Sequence, residues 1–420
     1  MVWFLKPMSH IRPETLGIIA CPGGEAFADS IIKHLKRIYK RRFERKAALL
    51  AEKYERSKEE ISRDLNYNQD LKSPQGVKSG STEACRIPEF RIPAAYTRFP
   101  NGEFKVEILS SIRGMDLYIV QDVENHLPLR FTNSPEAYEL NVNEHFFCLM
   151  VTIDAAFQAG AGSITVVLPT YPYSRQHKKK GRESLTAVRV GQILEFLGVK
   201  RIITLDIHSR DIYNGFRTLL LENLHASYQI LVKLSEIFDL RDPDLVVVAP
   251  DTGAVERNKF FAFNLGVPLS VLYKERDYSR FSLNAKNSNI VAMKLLGSVE
   301  GKNVFMVDDM LGTGSTLIKA MKVLKDMGAK QIICAVSIPL FTGDAVKHFD
   351  EAFKAGYFYR IIGTNAVQHD ERLLSKEWYI SADVSRLFAR IISRLHHNMS
   401  LSELLDNRKI IQKLLSRQKV

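Results

Sequence analysis

The residues best placed for chemistry lie between Asn303 and Leu324, N-V-F-M-V-D-D-M-L-G-T-G-S-T-L-I-K-A-M-K-V-L. An apolar run, 304–307, reads as a buried parallel strand, and two carboxylates, Asp308 and Asp309, stand at its end. A loop of small residues follows: Gly312, Thr313, Gly314, Ser315 and Thr316. Apolar residues then recur at Leu317, Met321, Leu324 and Met327, a helical spacing that Gly328 closes. A strand, a Gly/Ser/Thr loop and a helix start make an anion cradle, because free backbone N–H groups converge where the helix dipole favours negative charge. The hydroxyls of Thr313, Ser315 and Thr316 add donors. No lysine follows the glycines, so this is not a Walker A loop. A phosphate cradle beside two acids suits a phosphorylated sugar: amides for the phosphate, carboxylates for neighbouring hydroxyls or a metal.

Four other stretches carry charge at the ends of apolar runs. The loop 172–184, P-Y-S-R-Q-H-K-K-K-G-R-E-S, gathers Arg175, Lys178, Lys179, Lys180 and Arg182, enough cations for a triphosphate. The segment 206–209, D-I-H-S, sets Asp206 and His208 two apart, where they could share a metal or a phosphate. Asp251 opens D-T-G-A-V-E-R after another apolar run. Lys274 and Arg276, in Y-K-E-R-D-Y, form a cation pair suited to charge developing on a transferring phosphoryl group.

The elements that must hold these residues read as short apolar strands alternating with helices. Strands are expected at 16–21, 102–108, 117–121, 163–168, 201–206, 245–250, 269–273 and 331–338, and helices at 141–158, 187–197 and 260–265. This is an α/β pattern of two similar, doubly wound parallel-sheet domains, 13–226 and 227–408, joined near 224–230. Ligands of such sheets sit beyond the carboxyl ends of the strands, where His208, Asp251, Lys274 and the Asp308–Asp309 pair fall. A helix starting near Ala26 runs on through a charged stretch, 33–63, and 66–88 reads as a flexible surface loop; together they suggest an insertion over about 40–95. Deletion of 44–90 is expected to leave the fold intact.

The whole chain, 420 residues with 45% apolar and 25% charged content, has the composition of a water-soluble protein of two or three domains. No apolar run is long enough to span a membrane, and the apolar N-terminus lacks the h-region of a secretory signal. Four scattered cysteines without a C-x-x-C pair point to buried thiols in a reducing, cytoplasmic setting. The net charge of +12 fits an enzyme of polyphosphates better than a nucleic-acid binder, because the cations are not interleaved with aromatics.

Taken in order, the motifs resemble those of the ribose-phosphate diphosphokinases, which make phosphoribosyl pyrophosphate: R-F-P-N-G-E (98–103), Y-S-R-Q (173–176), R-E-S-L-T-A (182–187), L-D-I-H (205–208), N-G-F (214–216), A-P-D-T-G (249–253), K-E-R (274–276), V-D-D-M-L-G-T-G-S-T (307–316) and the stretch 390–405. The resemblance covers about 15–40 and 95–405. It implies type I phosphoribosyltransferase-like domains, ATP and ribose 5-phosphate as substrates, Mg²⁺ as cofactor, and a homo-oligomer, dimer or hexamer, with no nucleic-acid or membrane partner. Carried over by position, Phe99, Asn101 and Glu103 would meet the ATP base in a neighbouring subunit's site, and Arg175 and Gln176 would also contact ATP. Asp206 and His208 would serve the magnesium–ATP site, and Asp251 a second magnesium or the ribose side. Lys274 and Arg276 would be catalytic cations on a mobile loop, with His208 beside them. Asp308 and Asp309 would hold ribose hydroxyls, and Gly312, Thr313, Gly314, Ser315 and Thr316 the 5-phosphate. The chain departs from the family at Asn101 and Gly312, where the family has Asp, at Thr218, where it has an acid, and at His177, where Asp is usual. Two other readings share parts of this pattern: a non-catalytic homologue that regulates an active synthetase, and a phosphoribosyltransferase, which needs the 307–316 loop but neither K-E-R nor R-F-P-N-G-E.

Overall fold

A computed structural model describes residues 16–70, 89–179, 181–276 and 290–417. The strands are β1 (Leu16–Ala20), β2 (Ala94–Arg98), β3 (Phe104–Ile108), β4 (Asp116–Val120), β5 (Leu129–Phe131), β6 (Ser134–Tyr138), β7 (Ser163–Val167), β8 (Arg201–Leu205), β9 (Leu220–Leu224), β10 (Leu245–Ala249), β11 (Leu269–Arg276), β12 (Ile290–Leu296), β13 (Asn303–Leu311), β14 (Ile332–Pro339), β15 (Arg360–Thr364) and β16 (Tyr379–Ala382). The helices are α1 (Glu25–Tyr54), α2 (Lys58–Asp70), α3 (Val142–Gln158), α4 (Thr186–Phe196), α5 (Ser227–Ile237), α6 (Val255–Leu265), α7 (Ser315–Asp326), α8 (Ala345–Lys354), α9 (Glu371–Leu374), α10 (Ser385–His396), α11 (Ser402–Leu405) and α12 (Arg408–Arg417).

Two sheets carry the molecule. The first is wholly parallel and runs in chain order, β1-β4-β7-β8-β9. The second runs β12-β11-β10-β13-β14-β15-β16, parallel except for the antiparallel edge strand β12. Its winding reverses between β10 and β13, and this switch point opens a crevice at the carboxyl ends of those two strands. The parallel strands are continuous apolar runs because both faces are covered: every residue of β10 and β14 is buried. One core reaches through both halves, with Ile18, Ile31 and Leu35 in the same cluster as Val247, Phe305, Ile362 and Phe388. Phe27 of α1 meets Phe388 of α10 edge to face, with ring centroids 5.1 Å apart.

Local signals explain most of the elements. Asn141 caps α3 by accepting from the N–H groups of Asn143 and Glu144, and Glu144 returns a bond to the Asn141 N–H, a capping box. Within α3 the expected apolar face holds at Phe146, Leu149 and Ile153, which are buried, but Phe157 is 60% exposed. The helix expected at 260–265 begins five residues earlier, at Val255, directly after the turn that follows β10. The strand expected at 304–307 continues to Leu311 by pairing with β14, so Asp308 and Asp309 lie inside it. Strand β12 had no counterpart among the expected elements; its pairing with β11 extends β11 through Lys274 and Arg276.

The charged stretch forms one long helix, α1, whose buried side is confined to Phe27, Ala28, Ile31, Ile32, Leu35 and Ala47. It ends at Glu55 in a left-handed conformation, and α2 folds back on it through Ile61. Residues 66–70 continue α2 and are not loop; the rest of the loop expected at 66–88 lies outside the described residues from 71 onward. Phe90 is buried, 5.0 Å from Tyr39 ring to ring, and its carbonyl accepts from the Ile18 N–H. A deletion of 44–90 would therefore cut into the core of the first sheet, contrary to expectation. Cys21, Cys148 and Cys334 are buried free thiols, and burial pushes the Cys21 thiol up to about 12; Cys85 lies outside the described residues.

Candidate functional site

The cradle is built as its spacing predicts. Strand β13 delivers Asp308 and Asp309, the loop turns at Gly314 with φ of 72°, and α7 starts at Ser315. A Cβ on Gly314 would stand 2.2 Å from Phe349 Cε2, so both the backbone angle and the space demand glycine. Gly312 has no such constraint; an added Cβ would meet only Thr342 Oγ1, at 3.6 Å. Thr313, Ser315 and Thr316 are exposed, with the first two hydroxyls 3.4 Å apart, and they face an open cleft.

That cleft encloses about 610 Å³. It brings together Arg175 and Lys178 from the basic loop, His208 from the end of β8, Asp251 from the end of β10, Arg257 from α6, and the whole 308–316 segment. Cations, acids and the cradle therefore share one cleft, with Arg257 beside both acids.

The two acids are not equivalent. The Asp309 carboxylate takes a 2.5 Å bond with His208 Nδ1 and lies 3.5 Å from Arg257 Nη1. Burial disfavours its charge, but His208 and Arg257 outweigh that and hold its pKa below the usual carboxylate range. Asp308 Oδ1 accepts the Asp309 N–H at 2.8 Å and stands 3.8 Å from Arg257. Burial and the adjacent Asp309 charge push Asp308 up to about 7. One acid is fixed as an anion and its neighbour is poised to change charge near neutrality, the arrangement expected of two carboxylates sharing one site. His177 turns its ring edge to His208, with centroids 5.1 Å apart, and burial, His208 and Lys178 all lower its pKa.

Several expected residues stand elsewhere. Asp206 is buried with φ of 40°, and its carboxylate accepts from His225 Nδ1 at 2.7 Å, the Ala226 N–H at 3.1 Å and Ser337 Oγ at 2.6 Å. It does not line this cleft, but together with His208 it lines an adjoining cavity of about 1000 Å³ that His225 and Ser337 also border. Asp206 thus ties the end of β8 to Ser337 of β14. Phe99, Asn101 and Glu103 form the β2–β3 turn, where Asn101 Oδ1 accepts the Glu103 N–H at 3.2 Å, and none of them reaches this chain's cleft. Gln176 is also absent from the lining; its N–H donates to the Tyr173 carbonyl at 2.8 Å. Lys274 and Arg276 belong to β11, paired to Met293 and Ile290, rather than to a loop; 277–289 lie outside the described residues, as does Lys180.

Arg257 was missed from sequence. Its signal was present: it lies six residues beyond Asp251, at the first turn of a helix that follows a strand end. His225 and Ser337 carry no local signal: His225 meets Asp206 through the pairing of β8 with β9, and Ser337 meets it only when the two sheets pack.

Comparison with known proteins identifies the family and the fold. Residues 85–198 match the N-terminal domain of ribose phosphate pyrophosphokinase, and residues 221–370 match the phosphoribosyl transferase domain. A ribose-phosphate pyrophosphokinase of Chlorobaculum tepidum is 33% identical over 75% of this chain and 88% of its own. That of Halalkalibacterium halodurans is 32% identical over 80% of this chain and 96% of its own. In Schizosaccharomyces pombe, ribose-phosphate pyrophosphokinase 2 is 32% identical over 74% and 88%. The crystal structure of phosphoribosylpyrophosphate synthetase from Mycobacterium smegmatis shares the fold, with a TM-score of 0.66 and 23% identity over 92% of this chain and all of that one. With the family's two domain patterns in order and its sheet architecture intact, this chain belongs to the ribose-phosphate pyrophosphokinases.

Proposed function

We propose that the chain transfers the pyrophosphoryl group of ATP to the C1 hydroxyl of ribose 5-phosphate, giving 5-phosphoribosyl 1-pyrophosphate and AMP. The observation that carries this reading is the cleft lined at once by the Asp308–Asp309 pair, the 312–316 cradle and the cations Arg175, Lys178 and Arg257. The cradle amides and the hydroxyls of Thr313, Ser315 and Thr316 would take the 5-phosphate, and Asp308 and Asp309 the ribose hydroxyls. Arg175 and Lys178 would hold the triphosphate.

The C1 hydroxyl oxygen attacks the β-phosphorus and loses its proton to solvent as the new bond forms, and the bond from that phosphorus to the α–β bridging oxygen breaks. AMP leaves with the bridging oxygen. Little covalent chemistry is asked of the protein, so catalysis rests on alignment and on neutralising charge at the transferred group. Lys274 and Arg276 are the cations for that task, two residues apart on a strand whose end stands at the cleft side of the sheet.

Among the described residues no three His, Cys, Asp or Glu side chains converge on a metal site. Mg²⁺ carried by ATP needs few protein ligands, because phosphate oxygens and water fill most of its octahedron. Asp251 and His208, both on the cleft wall, would hold it. When bound it would neutralise charge on the triphosphate.

A homo-oligomer belongs to this reading. Phe99, Asn101 and Glu103 do not line this chain's own cleft and would serve a neighbour's. An apolar face on α3 and α4 leaves Phe147 50%, Phe157 60% and Phe196 90% exposed, which suits burial against another copy. Three buried free thiols favour a reducing compartment such as the cytoplasm.

The deciding experiment incubates purified protein with ribose 5-phosphate, Mg²⁺ and ATP and follows AMP and 5-phosphoribosyl 1-pyrophosphate. AMP formation no greater than that of a Lys274→Ala control would reject the catalytic reading in favour of a regulatory homologue.

A further inference from the structure

A second concentration of cations lies far from the cleft. Helix α1 begins beyond the carboxyl end of β1 and runs back along the sheet, so Arg37, about 18 Å along its axis, has reached the strands' amino-terminal edge. Helix α10 ends at the same edge, where His396 Nδ1 contacts Asp116, the first residue of β4, at 2.8 Å. Beside the α1–α10 seam is a cavity of about 480 Å³ lined by Arg37, Arg41 and Arg42 from α1 and Arg386, Arg390 and Arg394 from α10.

Arg386, Arg390 and Arg394 recur every four residues, as do Arg37 and Arg41, so each helix presents a row of guanidinium groups. Like charges at this spacing oppose helix formation. Few acids offset them. Arg394 pairs with Glu403 at 2.9 Å, and His34, which also lines the groove, approaches Asp383 at 3.3 Å. Arg42 reaches only His397, at 3.3 Å, and the Met399 sulfur, at 3.5 Å. Among the described residues Arg37, Arg41, Arg386 and Arg390 have no ion-pair partner. Arg390 is half-buried, and burial, Arg386 and Arg394 lower its pKa.

An independent observation marks the same groove. Ser393 lines it, and its buried hydroxyl has no hydrogen-bond partner among the described residues. A buried polar group left unpaired is costly, and a bound acceptor would relieve it.

We propose that this groove binds a condensed phosphate chain, either free or as the tail of a nucleoside triphosphate. The guanidinium fork matches phosphate oxygens bidentately, and successive arginines about 6 Å apart along each helix suit a ligand with several phosphates rather than one. The site is separate from the catalytic cleft and does not depend on the reading of that cleft.

The test uses the full chain carrying Arg175→Glu, which suppresses triphosphate binding in the cleft, without divalent metal. Sodium tripolyphosphate is titrated calorimetrically before and after adding Arg41→Glu and Arg386→Glu, both at exposed positions. The expected result is affinity weakened by about tenfold or more; a smaller loss overturns the proposal. Arg37→Gln, a milder exposed change, should weaken binding by about threefold with an unaltered circular-dichroism spectrum, and unchanged affinity there also overturns it. ATP that displaces tripolyphosphate identifies a nucleotide tail as the occupant, and ATP that does not identifies the free chain. Tighter binding of hexaglutamate than of tripolyphosphate would replace the phosphate assignment with an acidic peptide.

Discussion

His208 Nδ1 and Asp309 Oδ2 lie 2.5 Å apart, although 101 residues separate them. One follows the last turn of β8 in the first sheet and the other is part of β13 in the second, so this bond crosses the cleft and fixes its width. His208→Ala should cost about 1.5–3 kcal/mol of stability, as loss of a hydrogen bond to a charged group does. It should also reduce AMP formation by about 100-fold, because Asp309 loses its orientation. Urea unfolding and steady-state kinetics on one preparation test both; undiminished turnover would remove His208 from the machinery.

Asp308 should report on pH. Its folded pKa, about 7, exceeds the ordinary value of 3.8, so the folded state holds a proton that the unfolded chain has released. This group therefore lowers stability progressively as pH rises from about 4 to 7, and its full cost is present above that. Asp308→Asn removes the cost: the variant should melt higher than wild type at pH 8, with the difference shrinking toward pH 4. The same variant should raise the KM for ribose 5-phosphate more than that for ATP. Equal loss of both would contradict the assignment of Asp308 to the sugar.

Asp206 separates a structural role from a metal role. Burial disfavours its charge, but His225, Arg257 and Ser337 keep its pKa below the ordinary 3.8, so the stability it contributes is present above that value and is lost as pH falls through the lowered one. Asp206→Ala leaves three donors unpaired and should cost about 3 kcal/mol. The Mg²⁺ concentration for half-maximal activity should not move. A large shift in that requirement would return Asp206 to the metal site.

The cradle glycines make opposite predictions. Gly314→Ala meets both a positive φ and Phe349 and should destabilise by about 3 kcal/mol while abolishing ribose 5-phosphate binding. Gly312→Asp has room and an unstrained backbone, so it should fold with an unchanged melting temperature and alter only the KM for ribose 5-phosphate. Thermal melts of the pair decide this; a destabilised Gly312→Asp would mean the loop is tighter than its geometry indicates.

Lys274→Ala should reduce AMP formation by about 100- to 1000-fold without moving the melting temperature, because its cation is called on only as charge develops. A comparable rise in KM with unchanged kcat would make it a binding residue instead.

Legibility followed distance along the chain. The cradle could be read because its strand, loop and helix are contiguous: an unbroken apolar run, small residues and helical spacing all act within 22 residues, Asn303 to Leu324. The parallel α/β class could be read because strands buried on both faces must be apolar throughout. Edge strand β12 could not, since its identity depends on pairing with β11 more than on its own pattern.

The sequence by itself determined the list of groups: cations on 172–184, acids at 206, 251, 308 and 309, and donors at 312–316. Only the tertiary structure decided which of them meet. It joined His208 to Asp309, 101 residues away, and Asp206 to Ser337, 131 residues away. It added Arg257 to the acids and placed two arginine rows face to face on α1 and α10. The physical reason is that composition and period act through neighbours in the chain, whereas charge pairing and burial act through space and are set only when the two sheets close on one core.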